Sequence, residues 1–170
     1  APAEKAWKAT YETIQATMLG AADSPRGREL AAAFKKRQAA PESPADTVRR
    51  TWAIVSGDLP SMGADFYQEL FSLAPDLPKT LFKHVDVKAQ GLRTMQTVDT
   101  AVRLLDKPSE LVPALVALGE RHAGYGTEAA HYPVVGQALL TVLKRRVGAG
   151  FDAPAEKAWK ATYETIQATM

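Results

Sequence analysis

The segment APAEKAWKATYETIQATM occupies residues 1–18 and returns unchanged as Ala153–Met170, one period of 152 residues later. Identity extends to positions that would face solvent, such as Lys5/Lys157 and Glu12/Glu164, which a drifting structural repeat loses first. Two copies this far apart do not make a solenoid, whose units recur every ~20–50 residues. The duplication fits either a window on a tandem array of near-identical domains or one domain whose terminal helix is written twice. Either way the functional unit is a single domain closed by one copy. Ala6, Trp7, Tyr11, Ile14 and Met18 fall at the three-to-four-residue spacing that gathers apolar groups on one helical face. A folded domain offers one groove for that face. The other copy is left to pack elsewhere, to stay loose, or to swap into a neighbouring molecule as a swapped homo-oligomer, and a swap that does not close builds chains.

With the duplicate and residues 19–42 set aside, about 130 residues remain, a common size for one compact domain. Net charge is only +2. The basic residues are scattered apart from Lys35, Lys36 and Arg37 beside Arg26 and Arg28, a cluster without the aromatic platform that single-stranded nucleic acid requires. No nucleic-acid partner is expected. Cysteine is absent, which removes disulfides, thiol nucleophiles and thiolate metal sites and fits a reducing cytoplasm. No apolar run approaches the roughly 20 residues that span a bilayer, and no basic-then-apolar export pattern opens the chain. A soluble, cytoplasmic protein without a membrane partner is expected.

Residues 19–42 are rich in Ala, Gly, Pro, Ser and charge, and read as a linker or tail carrying one short helix. The domain proper is expected over residues 43–170. Ser43-Pro44-Ala45-Asp46 combines a capping hydroxyl, proline at the first helical position and a carboxylate in the first turn, and Val48, Trp52 and Val55 continue as a stripe. After Gly57 a second helix is expected from Leu59 to Leu73, with Phe66, Leu70 and Leu73 on one face. A short helical turn over Pro75 to Leu81 follows, then helices over Val87 to Leu105, Glu110 to His122, and Tyr132 through Val147 before the final copy. No stretch alternates with period two for long enough to make a strand. The expectation is all-α, seven or eight helices of unequal length packed as a globule.

The scarcest reactive groups are the three histidines, His84, His122 and His131. No nucleophile elbow accompanies them, and no carboxylates cluster with them at zinc-ligand spacing. A single-histidine site is what remains. His122 ends a helix whose Leu111, Leu115 and Leu118 face inward, so its imidazole projects from the last turn toward the core. A histidine there is also favoured simply by the negative end of the helix dipole.

Five motifs in order give a more specific reading. Asp65-Phe66-Tyr67-Gln68-Glu69-Leu70-Phe71, Leu81-Phe82, Gln90 set 32 residues before His122, Gly119-Glu120-Arg121-His122-Ala123-Gly124-Tyr125-Gly126, and Ala130-His131-Tyr132-Pro133-Val134-Val135-Gly136-Gln137 all stand in one chain, with Ala158-Trp159 and Tyr163 in the closing helix. From about Ser43 to Met170 the chain resembles a bacterial single-domain globin, close to the haemoglobin domain of flavohaemoglobins. The resemblance implies a globin fold of seven to eight helices and haem b (iron protoporphyrin IX) as cofactor.

By this resemblance His122 is the metal ligand, bound to haem iron from the proximal side, and Phe82 stacks on the porphyrin. It sets Tyr132 against His122, where the phenol can orient the imidazole as second partners of metal ligands do, and it puts Tyr67 and Gln90 opposite, over the iron. Thr94, Tyr125 and Val135 complete the expected cofactor lining. Thr94 departs from the bulky apolar residue of relatives, and the Pro75 to Phe82 segment is one residue longer than theirs. A glutamate that flavohaemoglobins carry far along the last helix would fall beyond Met170, and Ala22 holds the matching place after the leading copy. Its absence weakens the case for peroxidase-like chemistry. His84 is expected at solvent or a haem propionate, and His131 on the surface of its helix.

Three functions follow from the resemblance. The first is reversible binding of O₂, with NO and CO as related ligands. The second is nitric oxide dioxygenation, which needs a separate flavin reductase because the chain has no glycine-rich dinucleotide fingerprint. The third is a gas-sensor module coupled to an output domain.

Overall fold

The computed structural model describes residues 24–29, 32 and 42–170. The chain divides into two units at 42/43. In the first, residues 25–29 form a short helical turn, and Ser24 Oγ accepts from the Gly27 N–H at 2.9 Å. The leading copy, residues 1–18, lies outside the described residues, as does most of the 19–42 segment.

Residues 43–170 form six α-helices: α1 (Pro44–Val55), α2 (Leu59–Leu73), α3 (Val87–Arg103), α4 (Pro108–Gly124), α5 (His131–Val147) and α6 (Ala153–Thr169). No strand occurs among the described residues, and the all-α globin fold stands. The short 3₁₀ segments Ser56–Asp58, Leu77–Lys79 and Gly148–Gly150 join or follow helices. The lower helix count has a local cause. Between Leu73 and Val87, Pro75 and Pro78 remove amide donors, and the chain passes through turns and one 3₁₀ segment instead of a further α-helix.

Helix starts follow side-chain chemistry. Ser43, Asp58, Asp86 and Asp152 each accept a backbone N–H three residues on, capping α1, α2, α3 and α6. The stripe of α1 is buried as Val48, Trp52 and Val55, and that of α2 as Met62, Phe66 and Leu70. Leu73 departs from the inward expectation: as the last residue of α2 it lies past the edge of the core and is exposed.

Two tryptophans tie the long helices. Trp52 Nε1 donates to Asp99 Oδ1 on α3 at 2.8 Å, and Trp159 Nε1 on α6 donates to Thr51 Oγ1 on α1 at 2.8 Å. Both apolar indole bodies are buried in the core while their one donor is satisfied. Helix α5 is fastened to α2 by Arg146, whose Nε reaches Asp65 at 2.7 Å and whose Nη2 reaches Ser61 at 2.6 Å.

Helices α2 and α3 cross at a pair of glycines. A Cβ added at Gly63 would stand 2.5 Å from the backbone carbon of Gly91, so neither position has room for a side chain. A glycine inside a helix costs about 1 kcal/mol against alanine, and here that cost is offset by backbones brought into direct contact. The crossing lies one turn before Tyr67 and beside Gln90, and so fixes how far apart those side chains stand.

Candidate functional site

A cavity of about 820 Å³ opens between α2, α3, α4, α5 and α6. Tyr67, Phe82, Gln90, Thr94, His122, Tyr125, Tyr132 and Val135 all line it. Residues as distant in sequence as Tyr67 and Val135 therefore meet at one place.

On one wall, Tyr67 is buried on α2, with its ring edge-on to Phe66 (centroids 5.1 Å) and to Phe82 (5.3 Å). Its hydroxyl lies 3.2 Å from Thr94 Oγ1. Burial raises its pKa above the ordinary phenol value, and hydrogen bonding to Thr94 and then Gln90 partly offsets that rise. The phenol is therefore neutral at physiological pH and keeps its hydrogen to donate.

On another wall, His122 sits in the last turn of α4, half-buried, with Nδ1 2.9 Å from the carbonyl oxygen of Leu118. A carbonyl can only accept, so Nδ1 carries the hydrogen, and in the neutral imidazole Nε2 is the nitrogen that holds the lone pair. That tautomer is the one a metal-binding imidazole uses, with its second nitrogen held by a backbone carbonyl. Tyr132 stands against His122, ring centroids 6.2 Å apart at 31°. The bond that orients the imidazole, however, comes from the Leu118 carbonyl and not from the Tyr132 hydroxyl. Sequence reasoning missed this because a helix always has a carbonyl four residues back, and nothing in the residue types marks it.

Helix α6 closes the cavity with Thr162, Tyr163, Ile166 and Met170. Tyr163 acts as a strut: its hydroxyl donates to the Tyr132 backbone oxygen at 2.6 Å, and its ring fills the space a Cβ at Gly136 would need. Burial raises the Tyr163 pKa strongly, with the neighbouring Tyr132 adding to it. A glycine four residues after Tyr132 is the signal that could have revealed this close approach.

The rim is polar. Arg93, Arg121 and His84 line the cavity from exposed positions, and Tyr125 stands 71% exposed at its mouth. His131 differs from expectation: it is half-buried, lines the cavity, and its Nδ1 accepts the Glu128 N–H at 2.9 Å, tying the turn before α5.

The site would suit an apolar macrocycle held by one histidine. The cavity lies within the ~300–1,000 Å³ range of cofactor sites, apolar residues dominate its walls, one imidazole nitrogen is unspent, and cations stand at the rim. Among the described residues no three His, Cys, Asp or Glu side chains converge as a metal cage.

An all-α fold around an apolar cavity lined by His122, Tyr67 and Gln90 suits a haem protein. The chain belongs to the globin family: residues 64–170 match the family described as Globin. It is 28% identical over 143 residues to neuroglobin-1 of Oncorhynchus mykiss, covering 76% of this chain and 89% of that protein. It is 26% identical over 118 residues to a flavohemoprotein of Vibrio cholerae, covering 68% of this chain, and it spans only 30% of that relative's length. An anaerobic nitrite reductase of Brassica napus is 26% identical over 132 residues, covering 70% of this chain and 82% of that protein. Family membership implies haem and the binding of diatomic gases. No described helix is long and apolar enough to cross a membrane.

Proposed function

We propose that this globin binds dioxygen reversibly, with NO and CO as related ligands, at haem b held by His122, with Tyr67 and Gln90 supplying hydrogen-bond donors on the opposite side. The observation that carries the reading is the polarity of the two walls. His122 is oriented by its Nδ1–H, which donates to the Leu118 carbonyl and leaves Nε2 as the nitrogen available to a ligand, while Tyr67 on another wall of the cavity is neutral and keeps its hydrogen.

Haem supplies ferrous iron, which passes electron density to a bound gas. The residues do the rest. The Leu118 carbonyl holds the imidazole in one tautomer and orientation. Phe82, edge-on to Tyr67 and Phe71, would give the macrocycle an aromatic neighbour, and Arg93, Arg121 and His84, which line the cavity from exposed positions, would be available to its carboxylates. Tyr67 would donate to the partial negative charge on dioxygen, a bond to a charged acceptor being worth about 1.5–3 kcal/mol. CO carries less charge and gains less.

Oxygen and CO dissociation rates test the reading. Tyr67→Phe should release O₂ about tenfold to a hundredfold faster, from the loss of one such bond, with little change for CO. Equal effects on both gases would contradict the donor role.

A second reading, oxidation of NO to nitrate with re-reduction by a separate flavin reductase, is favoured by the exposed mouth, where Tyr125, Arg93 and Arg121 give a donor access. Rapid re-reduction of the ferric protein by a cellular flavoprotein would support it, and slow re-reduction would exclude it as a physiological role.

A further inference from the structure

We infer that Trp159 and Trp52 form a relay that draws oxidising equivalents out of the cavity and settles them on Trp52 as a neutral indole radical. The inference rests on the proposed haem-binding role of the cavity and adds an outlet that gas binding does not use.

Trp159 lines the cavity from α6, and its ring stands against that of Trp52 on α1, centroids 6.0 Å apart at 54°. Both indoles are buried, so a dissolved oxidant reaches neither of them directly. An indole has one donor, Nε1–H, and the two rings give theirs to opposite kinds of acceptor. Trp159 donates to Thr51 Oγ1 at 2.8 Å, and that hydroxyl donates in turn to the carbonyls of Thr47 at 2.8 Å and Val48 at 3.0 Å. Trp52 donates to Asp99 Oδ1 at 2.8 Å. Arg103 holds the other oxygen, Oδ2, at 2.7 Å, and the Asp99 side chain is partly exposed to solvent.

An indole that loses an electron becomes a strong acid at Nε1. An alcohol does not take that proton, so an oxidised Trp159 keeps its positive charge among buried apolar groups, which is costly. A carboxylate does take it, and its negative charge favours the neighbouring cation even before the proton moves. The electron vacancy therefore passes from Trp159 to Trp52 and stops there. The phenols of Tyr67 and Tyr163, which also line the cavity, have no such exit. Tyr67 meets Thr94 Oγ1 and Tyr163 donates to the Tyr132 carbonyl, and neither partner is a base.

The oxidant is a hydroperoxide. Hydrogen peroxide takes two electrons from haem and two protons from water, and its O–O bond breaks to give water. One electron returns to haem from Trp159, Trp52 replaces it, and the Nε1 proton of Trp52 moves to Asp99 and on to solvent. One electron and one proton have then left Trp52, and one oxidising equivalent stays on the haem.

The test adds hydrogen peroxide to the haem-loaded full chain, with freeze-quenched electron paramagnetic resonance to identify the radical and peptide mass mapping to find the oxidised side chain. The parent should give a neutral indole radical and oxidised Trp52. Asp99→Asn keeps an acceptor in place but removes the base, so both signals should be lost while O₂ and CO leave at the parent rates. Trp159→Phe should leave Trp52 present and unoxidised. If that variant fails to fold, Asp99→Asn and Trp52→Phe carry the test, the second abolishing the indole signal. A parent radical on a tyrosine, or Trp52 oxidised to the parent extent in Asp99→Asn, would overturn the relay and leave gas binding intact. A chain that takes up no haem would overturn the functional reading together with it.

Discussion

The two walls of the cavity are built to opposite standards. The α2/α3 wall is backbone on backbone at Gly63 and Gly91, with Met62, Phe66, Tyr67, Leu70 and Met95 buried behind it. The α4 wall is lightly held. Only Leu115 and Gly119 of that helix are buried, Val112 and Val116 face outward, and Pro113 removes one of its amide donors. The stiff wall carries the Tyr67 and Thr94 hydroxyls, 3.2 Å apart. The loose wall carries the imidazole, which needs only the right tautomer and a partner to bond. Rigidity is concentrated where distance matters, and the more weakly packed helix holds the group that a strong bond can itself position.

The largest expected effect breaks the stiff wall. Gly63→Val puts atoms where the Gly91 backbone lies and should cost about 3 kcal/mol, the upper part of the overpacking range, measurable by urea unfolding of the haem-free protein. A loss below about 1 kcal/mol would mean that the crossing can open and that the two walls are not so different.

Next comes the strut between α5 and α6. Tyr163→Phe removes the hydrogen bond to the Tyr132 carbonyl and should cost about 1 kcal/mol. Tyr67 and Tyr163 also set a pH dependence. Both have folded pKa values raised above the ordinary 10.0, so the folded state holds these protons more tightly than the unfolded chain. Their contribution is complete below pH 10 and is lost as pH rises beyond it. The urea midpoint should therefore be flat from about pH 7 to 9 and fall above about 10, less steeply in Tyr163→Phe.

The smallest effect on stability belongs to the loose wall. His122→Ala should change haem-free stability by less than about 0.5 kcal/mol, as for a half-buried side chain outside the core. A loss above 2 kcal/mol would make His122 a structural residue of α4 and remove the contrast.

Much of this was legible in the sequence. Helical periodicity places the six helices of residues 43–170, and Ser43 marks the start of the first, because an amphipathic stripe and a capping oxygen are local signals. The eight cavity residues were reachable only through motifs in order, since nothing local says that Tyr67 and His122 line one cavity. Three features stayed hidden. The Leu118 carbonyl bears no residue-type signature, the Tyr163 strut depends on a helix crossing, and the Thr94 to Tyr67 contact joins side chains 27 positions apart. Leu73 and His131 were misplaced because periodicity gives a face but not where the core ends.

The most direct measurement is the visible absorption spectrum of the protein after haem addition and anaerobic reduction, taken beside His122→Ala. The account predicts an intense haem band with one broad visible band in the reduced protein, the mark of iron bound on one side only, and loss of that spectrum in the variant. Two sharp reduced bands would mean an internal sixth ligand, and a spectrum that survives in His122→Ala would contradict the assignment of the iron to that imidazole.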